Sequence, residues 1–101
     1  LKLADLVQAT DGQVVSKTLA QNKYVSITVF AFSKGEEIST HESDGDALVT
    51  VLEGTGKFIV DGKEYILNAG ESVVMPARKP HSVHAIESFK MQLTVVFPLE
   101  R

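Results

Sequence analysis

His41 and His81 are the residues in this chain best suited to chemistry, and each belongs to a segment with matched punctuation. Gly35-x5-His41 runs on to Gly54, and Gly70-x5-Pro76-x4 runs into His81. Neutral imidazole is a ligand for Zn, Mn, Fe, Ni or Cu, and two imidazoles plus a carboxylate around an ion with open positions make the facial arrangement used for oxygen chemistry. Glu42, Asp44 or Asp46 could supply the carboxylate, because Ser43-Asp44-Gly45 is too turn-like to keep strict strand alternation. Glu36 and Glu37 are less well placed. The competing reading needs no ion: two histidines in a β fold can be interior polar groups bonded to each other, to a serine or to water.

The remaining reactive side chains carry less. His84 follows His81 by three, which sends it to the opposite face of a regular strand and makes it a surface or interface residue. Arg78 and Lys79 put two positive charges in the loop before His81 and could attract an anion, although a solvated loop explains them as well. Met75 and Met91 are read as core filling. With no cysteine there is no thiolate ligand, thiol nucleophile or disulfide. Glycine-rich phosphate loops, the G-x-S-x-G elbow and zinc-finger spacings are all missing, so no nucleotide or organic cofactor is expected.

The elements that must hold these groups are strands. Runs rich in Val, Ile, Thr and Phe occupy 13–19, 24–32, 47–52, 57–60, 63–67, 72–75, 81–86 and 89–97, punctuated by Gly, Pro, Asn and Asp. Asp61-Gly62 predicts a tight hairpin over 57–67, since a type I′ turn needs positive φ at both central positions. Leu3, Leu6 and Val7 have helical spacing for at most a short N-terminal turn. Many short, evenly spaced strands indicate an all-β barrel or sandwich.

A length of 101 residues and 44% hydrophobic content predict one domain. Its net charge of −3, with the basic residues dispersed, gives no footprint for nucleic acid. No apolar run is long enough to span a membrane as a helix, and the first residues do not resemble a secretory signal, so a cytoplasmic location is expected. Alternation over 24–32 makes Val25, Ile27, Val29 and Ala31 the core face, leaving a second face that ends in Phe30 and Phe32; Leu48 and Leu52 likewise give 47–52 a second apolar face. Such faces need a cover, either the N-terminal arm or, as expected here, the partner subunit of a homodimer.

The two punctuated segments together resemble the cupin superfamily, specifically its small single-domain, RmlC-like members. Against the first motif, G-x5-H-x-H-x3,4-E-x6-G, stand Gly35, His41, Ser43, Ala47 and Gly54; against the second, G-x5-P-x-G-x2-H-x3-N, stand Gly70, Pro76, Arg78, His81 and Ala85. The resemblance implies a cupin-type antiparallel β-barrel (jelly roll), with an arm and first strand over 1–22 and the barrel over 23–97. It implies one divalent metal ion, for which His41 and His81 stand at two of the four ligand positions, Ser43 and Ala47 occupying the other two. The frame sends Ala47, Val49, Val51, Val83 and Ala85 inward, describing a pocket with Ser43, Ala47, Val49 and Val83 in its wall. The expected role is a binding module for a metal ion or a small molecule. The alternative is a metal-dependent dioxygenase, isomerase or decarboxylase acting on a small organic acid or ring compound, with no catalytic residue assignable.

Overall fold

A computed structural model describes residues 1–99. Nine strands follow a 3-10 turn at Leu3–Leu6: β1 (Val14–Gln21), β2 (Val25–Phe32), β3 (Glu37–His41), β4 (Asp46–Glu53), β5 (Thr55–Val60), β6 (Lys63–Asn68), β7 (Ser72–Met75), β8 (His81–Ala85) and β9 (Phe89–Val96). They form two sheets, β1-β2-β9-β4-β7 and β3-β8-β5-β6, with antiparallel pairing throughout. This is the expected jelly roll. Among the described residues no helix is long and apolar enough to cross a membrane.

The inner faces meet in a core built around Phe32, Val49, Val51, Phe58, Phe89 and Met91, all essentially without solvent contact. Phe89 stacks on Phe32 with ring centroids 4.6 Å apart and meets Phe58 edge-on at 6.0 Å. The rings are thereby held in the offset and perpendicular arrangements that aromatic quadrupoles favour.

Two expectations need correction. The faces of β2 are reversed: Phe32 is in the core between the sheets with Phe30 packed against it, while Val29 and Ala31 lie in a second cluster with Val7, Leu3, Leu6, Leu19 and Leu52. Both alternating sets of β2 are apolar, so period alone could not choose between them, and the bulky rings took the side with more volume to fill. The N-terminal arm therefore covers the outer set. Lys90 fastens it, donating from Nζ to the Ala4 carbonyl at 2.6 Å while facing Glu53 at 3.4 Å. Phe30 and Phe32 consequently give no support to a dimer contact. The other correction is β3, a strand absent from the sequence reading because Glu37-Ile38-Ser39-Thr40-His41 has a single apolar side chain to alternate.

The hairpin at Asp61-Gly62 has the expected form, with φ of 50° and 80° at its central residues and β5 pairing β6 from Val60↔Lys63 onward. Gly54, also at positive φ (75°), is more constrained: a Cβ there would meet the Ser88 carbonyl oxygen and lie 2.8 Å from Phe89 Cβ. At Gly62 nothing lies within 4 Å. Gly62→Ala should therefore cost about 1–2 kcal/mol, the left-handed backbone penalty alone, whereas Gly54→Ala adds a clash with fixed backbone and should cost at least about twice as much. Urea unfolding of the two variants side by side checks the ordering; equal losses would refute it.

Candidate functional site

Strand pairing brings the two histidines together. β3 runs antiparallel to β8 with His41 opposite His81, after an irregularity between Ile38 and His41. Each ring is held from behind: His41 Nδ1 donates to the Ser39 carbonyl at 2.9 Å and His81 Nδ1 to the Lys79 carbonyl at 3.1 Å. A carbonyl can only accept, so both protons sit on Nδ1 and both Nε2 atoms present lone pairs. Those Nε2 atoms are 3.0 Å apart, with the ring planes at 72°.

Two lone pairs at that distance repel unless a cation lies between them, either an added proton or a metal ion. Burial pushes the His81 pKa below its ordinary value of 6.5, His41 adds to this, and the Lys79 carbonyl and Glu42 oppose it. A bridging proton is thus disfavoured at neutral pH. Imidazole nitrogens bind first-row divalent ions at about 2.1 Å, so two of them at right angles around one ion stand about 3.0 Å apart. Backbone carbonyls on the far nitrogens are also the usual outer partners of metal-binding histidines. The two residues fit as neighbouring ligands of one ion. Among the described residues no group of three or more His, Asp or Glu side chains could complete the set.

Two of the carboxylates considered as a third ligand have other partners. Asp46 accepts from the Ala77 amide at 2.8 Å, tying the start of β4 to the loop after β7, and Glu37 pairs with His84 at 2.7 Å. His84 Nε2 also lies 3.0 Å from Ser82 Oγ, on the other side of β8 from the His81 ring. Glu42 and Asp44 are exposed. Arg78 adopts positive φ (63°) and its amide donates to the Ser43 carbonyl at 2.7 Å, so the loop closes the barrel end by its backbone.

Beside the histidines lies a cavity of about 300 Å³. Ser43, Ala47 and Val83 line it, together with His41 and His81. Val49 does not; it is fully buried in the core cluster. The sequence reading missed Phe30, Ile38, Leu93 and Val95 in the wall, and placed Met75 and Met91 only in the core, where they are buried while also facing the cavity. Pairing of Phe30 with Met91 across β2 and β9 explains how this wall is assembled.

Residues 28–97 match the cupin domain family. The chain belongs to the cupin family. A conserved protein of unknown function from Streptococcus pyogenes is 43% identical, with TM-score 0.93 over 97% of this chain and 86% of that one. A cupin superfamily protein from Desulfitobacterium hafniense is 34% identical, with TM-score 0.93 over 97% and 90% of the two chains. A cupin 2 conserved barrel domain protein from Leptotrichia buccalis is 46% identical with TM-score 0.92; it is matched by 95% of this chain, which spans about half (47%) of that protein. No curated protein matches.

Proposed function

We propose that this cupin holds a divalent transition metal ion between His41 and His81 and binds a small molecule in the adjoining cavity. The observation that carries the reading is the pair of Nε2 atoms 3.0 Å apart with both Nδ1 protons committed to backbone carbonyls. The ion would supply a Lewis-acidic anchor for a ligand oxygen. The chain's own residues do the rest: the Ser39 and Lys79 carbonyls fix the ring tautomers, Ser43 offers a hydroxyl, and the apolar wall excludes water. Beyond His41, His81 and Ser43 the wall carries no proton donor or acceptor side chain among the described residues, which favours binding over a metal-dependent enzyme.

Protein purified without a metal-affinity tag should retain a first-row metal. Adding one at a hundredfold excess over its Kd should stabilise the metal-free chain by about 2.7 kcal/mol, a rise in Tm of roughly 10–20 °C for a domain this size. Less than a tenth of an equivalent of metal in elemental analysis, with no thermal shift for Zn, Mn, Fe, Ni or Cu, would overturn the reading. Oxygen uptake in the presence of metal and small acids or phenols, abolished in His41→Ala, would instead indicate the enzyme.

We also propose a homodimer, through a surface that keeps Leu48 from the sequence reading but not Phe30, Phe32 or Leu52, which the core and the N-terminal arm cover. On the outer face Leu48 lies opposite Val74, and these residues with Val96 are 43%, 57% and 55% exposed. The double variant Leu48→Lys, Val74→Lys should sediment as a monomer where the unmodified chain sediments as a dimer. A monomeric mass for the unmodified chain at micromolar concentration refutes the proposal.

A further inference from the structure

We propose that Ser82, His84 and Glu37 form a nucleophilic triad on the outer face of the β3-β8-β5-β6 sheet, which takes a short acyl group from an aryl ester onto Ser82 and passes it to water. The site is independent of the His41/His81 reading, because Ser82 and His84 alternate with His81 and Val83 and stand on the opposite side of β8.

The proton positions follow from the partners. Glu37 Oε2 lies 2.7 Å from His84 Nδ1 and, as a carboxylate, can only accept, so Nδ1 carries a proton. In the neutral ring Nε2 then presents a lone pair, and Ser82 Oγ at 3.0 Å donates its hydrogen to it. Both contacts fall within the roughly 2.6–3.2 Å that joins a nucleophile to its base, with a third group orienting the base. Such a triad is recognised by geometry and roles, not by order along the chain. Strand pairing supplies it: Glu37 sits opposite His84 in the β3–β8 register, and Ser82 precedes His84 by two on the same face.

The surroundings set the substrate. Ser82 is 3% exposed. Ile59 faces it from β5, and on the β3 side the irregular register sets Ser39 and Thr40 against this one residue. Approach past these side chains suits an acetyl-sized group and disfavours a long acyl chain. Because β8 is paired on both sides, its amides are engaged in the ladders, and the oxyanion has to be met by a side chain. Lys57 is placed for this: it stands opposite His84, and its Nζ is held only loosely by Glu64 at 3.9 Å. With one such cation in place of a pair of amides, the leaving group has to depart easily, as a phenol does. Ile66, across from Lys57 on β6 and 47% exposed, offers the aryl ring an apolar surface.

In the first step Oγ bonds to the ester carbonyl carbon while its proton passes to His84 Nε2; the bond to the aryl oxygen breaks, and the phenol leaves with that proton. Water, giving a proton to the same Nε2, then attacks the acyl carbon, and Ser82 recovers its hydrogen as the carboxylic acid departs.

The test uses the full chain with p-nitrophenyl acetate, in a chelator so that no metal ion contributes. Nitrophenol release should fall at least about tenfold in Ser82→Ala. Methanesulfonyl fluoride, an acetyl-sized reagent that leaves a stable adduct, should label Ser82 in peptide mass mapping. Glu37→Gln, at an exposed position, should lower kcat at least about tenfold with KM unchanged, the split expected of a positioning residue. His84→Ala should lose turnover and regain part of it with added imidazole. Circular dichroism checks that the variants fold, and the labelled residue in the unmodified chain decides the proposal if one does not. Turnover in Ser82→Ala equal to that of the unmodified chain, labelling of another residue or of none, or loss of turnover on adding the chelator would each overturn it.

Discussion

Phe89→Ala is expected to destabilise the protein by about 3–5 kcal/mol, the range for removing a buried aromatic ring from a packed core. Phe89 is fully buried, stacks on Phe32 and receives the edge of Phe58. It thus ties β9 and β2 of one sheet to β5 of the other. The backbone leaves room for the ring by placing Gly56 beneath it: a Cβ at Gly56 would lie 2.8 Å from Phe89 Cε2. That close fit is why the loss should be large, since β5, paired on both sides by β6 and β8, cannot move in to fill the space. A domain of this size has about 5–15 kcal/mol of total stability. The variant should therefore lose at least about a fifth of it, and Tm should fall by roughly 12–40 °C at 4–8 °C per kcal/mol. Urea unfolding followed by circular dichroism measures the effect. Phe89→Leu, which keeps most of the volume, should lose less than half as much; a loss below about 1 kcal/mol for Phe89→Ala would mean that the three-ring cluster does not join the sheets.

The same rings show where sequence reading stops. Asp61-Gly62 was legible because positive φ at two successive residues is a local demand that few residue pairs meet. The faces of β2 were not, because Val29 and Ala31 are as apolar as Phe30 and Phe32, and what decides between them is non-local: the N-terminal arm covers one pair and Phe89 stacks on the other. β3 was illegible for the opposite reason. Its residues are polar because it is an edge strand with little to bury, and only its pairing with β8 makes it a strand.

The site divides in the same way. His41 and His81 could be singled out from residue type and spacing, because a fixed frame of glycines and a proline places them. The cavity wall could not be read fully, since Phe30 followed the wrongly assigned face of β2, Ile38 lay on the unrecognised strand, and Leu93 and Val95 depend on which side of β9 faces inward. Val49 was read as lining because it alternates correctly with Ala47; depth along the barrel axis, which alternation does not report, takes it into the core instead.

His81→Ala should weaken metal binding by at least roughly a hundredfold, beyond the ten- to hundredfold typical of losing an outer hydrogen-bond partner alone. The proposed set has two side-chain donors, so one substitution removes half of it, and no group of three or more His, Asp or Glu among the described residues offers a replacement. His41→Ala should weaken it by a similar factor, but the two differ in their effect on the metal-free protein. His81 is 4% exposed and His41 is solvent-exposed, so only the former leaves a void in the wall. The pH dependence separates them further. Because burial holds the folded His81 pKa below 6.5, the unfolded chain takes up a proton that the folded chain refuses as pH falls below that value. Stability of the metal-free protein should therefore decline from about pH 6.5 downward until the folded ring itself protonates, and His81→Ala should flatten this slope. Metal loading follows the same sign, since protons compete for Nε2 and a depressed pKa keeps the ring available to more acidic pH than a free imidazole. Competition with a chromophoric chelator between pH 5 and 8 measures the affinities, and thermal melts without metal measure the slope. Metal affinity in His81→Ala equal to that of the unmodified chain would remove the ion from this site and leave the His41/His81 pair as a polar contact between two strands.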